Sequence, residues 1–328
     1  MYRKELSKEV LFMVVLLTSL FMTLPISSLA QEEFPNRSIE LVVPFAPGGS
    51  TDLICREIAE SAKKYLGQPI IVVSKPGGGQ AIGTGYVFNA KPDGYTIGGA
   101  ASGGLSLRPL LYKVPYDILK LTPIIQLAFY PGALVVKKDA PWNSLEELLT
   151  YAKNNPGNVK FATTGFHDFN HLILEDLARK KGGIKWDCVP SAGEAPGLTM
   201  LLGGHVTFFA GGATWLPHIQ SGALKALVTF GGKKKMFADV PTLRELGYDV
   251  ISDTGPILIG PPGLPNPIVR RLHDAFKKVM DEPQFEEALK RINLVKEYRN
   301  SEELKKYLTD FYRSWGDLTQ EMGIKKKD

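Results

Sequence analysis

The segment "PFAPGGSTD", residues 44–52, stands between the apolar run "IELVV" and "LICREIAESAKKYL", which has helical periodicity. A helix N-terminus carries unsatisfied backbone N–H groups and about half a positive charge, and glycine lets a ligand come close to those groups. The chemistry open to such a turn is anion capture: a nucleotide phosphate, the oxyanion of a reacting substrate, or the carboxylate of a bound solute. A P-loop requires G-x-x-x-x-G-K-[ST], whereas "APGGSTD" has no lysine and ends in an acid that would repel phosphate. The glycines of "PGGGQAIGTG" do not fall in the G-x-G-x-x-G register, because the last position of that pattern is Ile82 when counted from Gly77 and Thr84 when counted from Gly79. Nucleotide and dinucleotide sites are therefore not expected.

A second constellation is "HDFNH". His167 and His171 stand at i and i+4 on one helix face, as in the H-E-x-x-H zinc peptidases, with Asp168 at the general-base position and Glu175 one turn further. Aspartate is one carbon shorter than glutamate and would not reach the same water. The competing reading has His167 lining a pocket and His171 packing against or capping its helix. There is no G-x-S-x-G elbow, and Ser50, Ser102 and Ser191 have no base in a recognised order. His205, His218 and His273 carry no metal-ligand spacing. The expectation is a binding protein without catalytic residues, metal or cofactor, with a zinc-dependent hydrolase using His167 and His171 as the alternative.

These residues need elements to position them. Strand-like runs alternate with helical ones, the pattern of an α/β fold with a parallel sheet. One device recurs: an apolar strand, a Gly/Pro/Ser/Thr turn, then a helix, at "PFAPGGSTD", "SKPGGGQAIG", "AASGGLS", "TTGFHDFNH" and "PSAGEAPG". Three lie before residue 110 and two after residue 160, so two halves present helix N-termini to a common region. Towards the C-terminus the pattern predicts amphipathic helices over 266–292 and 301–323, the second with Ser301 and Glu302 or Glu303 placed to cap it. No solenoid repeat is present.

The chain of 328 residues is 44% hydrophobic and 22% charged, the composition of a soluble globular protein. The formal net charge of +5 is too mild to indicate nucleic acid, and the lysine runs at 233–235 and 325–327 read as solvated surface. Residues 1–30 combine a basic start (Arg3, Lys4, Lys8), the apolar stretch "VLFMVVLLTSLFMTL", Pro25, and small residues Ser28 and Ala30 before Gln31. This is the pattern of a cleavable secretory signal, and no cysteine at the cleavage site indicates a lipoprotein. The remaining chain is long enough for two domains. Cys55 and Cys188 lie on separate strand-helix units and read as two thiols rather than a bridge.

From residue 35 to the C-terminus the chain resembles the substrate-binding receptors of the tripartite tricarboxylate transporter family, also called Bug receptors. The stretch "SIELVVPFAPGGSTDLICREIAESAKKYLGQPIIVVSKPGGGQAIGTGYVFNAKPDGYT" carries the resemblance, followed in order by "VPSAGEAPGLTMLLGGHV", "PHIQSGALKALVT" and "DVPTLRELGY". The resemblance implies a periplasmic, monomeric, two-lobed Venus-flytrap protein, similar to type II binding proteins, that holds a carboxylated metabolite between its lobes. Lobe one would comprise residues 31–132 and 253–328, and lobe two residues 133–252, with crossings near "FYPGALVV" and "VISDTG". The implied partners are a small-molecule carboxylate and the membrane permease subunits of a tripartite transporter, or instead a signalling system. Family motifs that grip the carboxylate match Phe45, Ala46, Pro47, Gly48, Gly49, Ser50, Thr51 and Asp52, then Pro76, Gly77, Gly78, Gly79 and Gly83, with Ser102 in the next loop. Thr163, Thr164, Gly165, Ser191, Gly193 and Gly211 fall in the corresponding turns of the second lobe. Asp52 is expected to cap its helix or hold a water, and His167 to face a second carboxylate. Departures from the family pattern, at Phe166, His167 and Asp168, at Thr207 and at "ISDTGPILIG", leave the ligand itself open.

Overall fold

The structure, a computed structural model, describes residues 34–163, 168–191, 193–230, 237, 239–248 and 253–327. The elements run β1 (Ile39–Val43), α1 (Ser50–Leu66), β2 (Ile70–Ser74), α2 (Ala81–Phe88), β3 (Thr96–Ala101), α3 (Ser102–Leu111), β4 (Thr122–Phe129), β5 (Ala133–Lys137), α4 (Leu145–Asn154), β6 (Lys160–Thr163), α5 (Phe169–Lys180) and β7 (Asp187–Pro190). They continue with α6 (Glu194–Leu202), β8 (Phe208–Gly211), α7 (Leu216–Gln220), β9 (Leu224–Thr229), β10 (Pro256–Gly260), α8 (Asn266–Met280), α9 (Pro283–Arg291), β11 (Val295–Arg299) and α10 (Ser301–Glu321). The signal-like segment 1–30 lies outside the described residues.

Two sheets result, one per lobe. The first has the order β11-β4-β10-β3-β1-β2 and the second β7-β6-β8-β5-β9. The chain moves from the first sheet to the second between β4 and β5, and returns between β9 and β10.

The expectation of a parallel sheet needs correction. β1 is parallel to β2 and β3, and β6 to β7 and β8, but β10 is antiparallel to β3 and β4, and β5 to β8 and β9. The reason is the crossing: strands that enter a sheet from the other lobe arrive without a βαβ connection to turn them round. Both sheets are mixed as a consequence.

The helix expected over 266–292 is two helices, because Pro283 lacks an amide proton and its ring cannot continue α8, so α9 starts afresh with Pro283 in its first turn. The cap of α10 is Asn300 rather than Ser301. Asn300 Oδ1 accepts from Glu303 N and the Glu303 carboxylate accepts from Asn300 N, each at 2.9 Å, while the Ser301 hydroxyl donates to Pro123 O at 2.7 Å.

Leu41, Ile54, Ile58 and Phe276 pack α1 and α8 onto the first sheet. The largest core belongs to both lobes: Leu107 and Leu111 of α3 and Phe311 and Trp315 of α10 are buried with Leu134, Val136 and Phe161 of the second sheet. Phe169, the first residue of α5, has its ring 5.0 Å from Trp315 and 5.8 Å from Phe311. Helix α10 therefore leaves the first lobe and rests on the second. Cys55 is buried, Cys188 is half-buried, and both are free thiols. Among the described residues no helix is long and apolar enough to cross a membrane.

Candidate functional site

Between the lobes lies a cleft of about 950 Å³. Its first wall is the turn into α1. Gly49 is the N-cap, with extended backbone and no side-chain acceptor for the first-turn amides, so those N–H groups are left for whatever enters the cleft. Asp52 is buried behind the turn: its carboxylate accepts from Gly48 N at 2.9 Å and from Arg56 Nε and Nη2 at 2.9 Å each. Burial opposes ionisation of Asp52, but the Arg56 pair and the Gly48 amide outweigh it and hold the carboxyl below its ordinary value. The acid thus serves as the brace of the turn.

The second loop is stapled by Gln80. This residue adopts the left-handed conformation (φ 80°) as N-cap of α2. Its side chain accepts from Ala101 N at 2.9 Å and donates to Ala101 O at 3.2 Å, joining the loop to the end of β3. The floor is the double crossover. Tyr130 N donates to Thr254 O at 2.8 Å and Ser102 N to Gly255 O at 2.9 Å, while Gly255 N donates to Ser102 Oγ at 3.0 Å. A Cβ on Gly255 would stand 1.9 Å from Ala128 O, so only glycine lets the two connecting strands lie this close. The Tyr130 phenol is raised mainly by burial, an effect opposed by its hydrogen bond with Thr51 and reinforced by Cys55 and Glu194.

The second lobe supplies the opposite wall. Asp168 caps α5 by accepting from His171 N at 2.7 Å. Ser191 Oγ lies 2.7 Å from Thr163 O and 2.6 Å from Gly193 O, its one proton shared between two carbonyls. Glu194, the first residue of α6, accepts from Gly212 N at 2.9 Å.

Of the residues singled out in the sequence, Phe45, Ala46, Pro47, Gly48, Gly49, Ser50, Thr51, Gly79, Asp168 and Gly193 line this cleft. Asp52, Gly77, Gly78, Ser102, Thr163, Ser191 and Gly211 lie off the lining; Ser102 and Thr163 are fully buried. Thr164, Gly165 and His167 lie outside the described residues. The cleft also takes in Gln80, Arg108, Tyr130, Asn170, Glu194, Thr214 and Thr254. Tyr130 and Thr254 were within reach of a sequence reading, since they fall on the two expected crossings. Arg108 gave no signal, being a basic residue in the last turn of a helix.

The histidine pair resolves only in part. His171 is buried, with Nε2 3.6 Å from Glu175 Oε1 and its ring 6.0 Å from that of Phe161. Asp168, which a peptidase would use as a base, is the helix cap. Among the described residues no three His, Cys, Asp or Glu side chains are grouped to hold a metal ion.

The family model for the tripartite tricarboxylate transporter family receptor matches residues 54–324. The chain belongs to this receptor family. It is 37% identical over 297 residues to the UPF0065 protein of the gbd 5′ region of Cupriavidus necator, with 90% of each chain covered. Its fold is similar to a TctC solute-binding protein from Polaromonas (33% identity, TM-score 0.79, covering 88% of this chain and 99% of that one). It is also similar to MatC of Rhodopseudomonas palustris, solved with bound malate (29% identity, TM-score 0.72, covering 87% and 99%). The matched family is one of receptors and the Polaromonas protein is a solute-binding protein; the chain is a binding protein of this family rather than an enzyme, which removes the hydrolase alternative.

Proposed function

We propose that the protein is a periplasmic receptor that captures a small carboxylate-bearing metabolite between its lobes and delivers it to the membrane subunits of a tripartite tricarboxylate transporter. The lobes in this reading are residues 31–132 with 253–328, and residues 133–252. The observation that carries it is the N-terminus of α1, capped by a glycine with no side-chain acceptor and opening into the cleft. Amides presented this way with glycines on either side suit a carboxylate oxygen, and the related MatC was solved with a dicarboxylate, malate. Phe45 to Thr51 and Gly79 would hold the acid from the first lobe and Gly193 would meet it from the second. A ligand that touches both lobes favours the closed arrangement by its differential affinity for it.

A thermal-shift screen of the purified protein against mono-, di- and tricarboxylates, each paired with its primary amide, tests the reading. Ligand at roughly 1,000 times its Kd adds about 4 kcal/mol, and a chain of this size rises by about 2 °C or more per kcal/mol. A rise with an acid and none with its amide supports the receptor. No rise with any acid, after unfolding and refolding to release carried-over ligand, contradicts it.

A further inference from the structure

Arg108 is an unusual cation. It sits in the last turn of α3 and lines the cleft, and it is the only lysine or arginine among the described lining residues. Its guanidinium lies over the Tyr112 ring, with Cζ 3.7 Å from the ring centroid. Its Nε is buried and has no hydrogen-bond partner. No carboxylate oxygen among the described residues lies within ion-pair distance of it. Gly79, at φ +58°, makes room for the group: a Cβ there would be 3.3 Å from Cζ, Nε and Nη1. A buried donor left unmatched is costly, and native proteins seldom leave one. Close to both the Gly79 backbone and an aromatic face, the guanidinium has the planar fork that matches a carboxylate edge-on.

The facing wall has the opposite sign. Glu194 Oε1 accepts from Gly212 N at 2.9 Å, and no cation among the described residues lies within ion-pair distance of the carboxylate. Asp168 lines the same wall as the cap of α5. Glu194 also occupies the first turn of α6, where its charge complements the helix dipole, so this N-terminus is already answered by an acid. A ligand carboxylate pointing at the second lobe would meet like charge there.

We propose that Arg108 and Glu194 are the two charged poles of the cleft, so that its ligand is an acid whose carboxylate pairs with Arg108 beside the α1 turn and whose far end carries a donor, ammonium or hydroxyl, for Glu194. This rests on the receptor reading and narrows it to amino or hydroxy acids over simple diacids. The two ideas fail differently. Titration calorimetry of the purified protein would use the ω-amino acids from glycine to 6-aminohexanoate, each beside its ω-hydroxy acid, its unsubstituted monoacid and its diacid. The expected result is an amino or hydroxy acid bound about tenfold or more tighter than the matched monoacid, with the diacid weakest. Glu194→Gln should erase that preference and strengthen the diacid. Arg108→Gln should weaken every acid by about tenfold or more, and Arg108→Lys, which keeps charge and loses the fork, should fall between. The melting temperature of each variant reports whether it folds, and Glu194→Gln carries the test alone if the arginine variants do not. A diacid bound tightest by the unmodified protein, or a preference unchanged in Glu194→Gln, overturns the polarity. Acids binding equally well to Arg108→Gln overturn the role of Arg108 and leave the receptor reading standing. No acid bound at all overturns both.

Discussion

The hydroxyl oxygens of Thr51 and Tyr130 lie 2.5 Å apart, and this contact fastens the N-terminal turn of α1 to the first crossover between the sheets. Because Tyr130 N also donates to Thr254 O at 2.8 Å, the turn and both connecting strands form one unit. Tyr130→Phe removes one hydroxyl and strands the other. The expected loss is about 1–3 kcal/mol of stability, seen in urea as a lower midpoint with an unchanged slope. An unchanged midpoint would mean that Thr51 finds another partner and that the coupling is not structural.

Gly255 sets how closely the two crossovers pass. In Gly255→Ala the new methyl would stand 1.9 Å from Ala128 O, a backbone atom that cannot swing aside. A destabilisation of about 3 kcal/mol or more is expected, in the range of severe overpacking. Gly316→Ala is the contrasting control. It lies within α10, where its Cβ would meet only Leu110 Cδ2 at 3.6 Å, and it should stabilise by about 0.5–1 kcal/mol through helix propensity. Equal effects at the two sites would refute the close-packed crossing.

The charge on Asp52 gives stability a pH dependence of known sign. The folded carboxyl is held below its ordinary value of 3.8, with burial opposing and the Arg56 pair and Gly48 amide prevailing. Its contribution is therefore complete above that value and is lost as pH falls through the still lower folded one. Asp52→Asn should cost about 1–3 kcal/mol near neutral pH, and the gap between variant and parent should close as pH drops below about 4. Denaturant melts from pH 7 to pH 3 would show this; a gap that widens with acid would contradict the assignment.

The cysteines should be chemically quiet. Burial pushes the Cys55 thiol up to about 12, with the Asp52 charge adding to the effect. Burial also pushes Cys188 up to about 11, against a hydrogen bond from Thr163 that lowers it. The thiolate is the reactive form, so an aromatic disulfide reagent at pH 8 should label the native protein slowly and titrate both thiols at once in denaturant without reductant. Fewer than two thiols in denaturant would show a bridge.

Much of the first lobe was legible because its signals are local. An apolar run, a glycine turn and a 3.6-residue period are enough to place β1 and α1, and α1 begins at Ser50, ahead of the periodic run from Leu53, because Gly49 is extended. The mixed sheets were not legible, since the direction of β10 depends on where the chain returns from and not on its own residues. Pairing across long separations sets it. The cap of α10 was missed by one residue because Asn300 and Ser301 are both good caps, and the choice between them is made by Pro123 O, which takes the serine hydroxyl. Arg108 was invisible for a related reason: what makes it notable is Gly79 beside it and, among the described residues, no acid within ion-pair distance, neither of which spacing encodes. Even the glycine motifs divided once folded, with Gly79 lining the cleft and Gly77 and Gly78 off its lining.

The central claim is that the α1 turn holds the ligand's carboxylate, and amide chemical shifts test it most directly. Heteronuclear NMR of the labelled protein, titrated with the acid that gives the largest thermal shift, would follow the N–H signals of Gly49, Ser50 and Thr51. The account predicts that these amides move downfield and saturate at one equivalent, as donors gaining a charged acceptor should. An acid that binds while these three signals stay in place would contradict it.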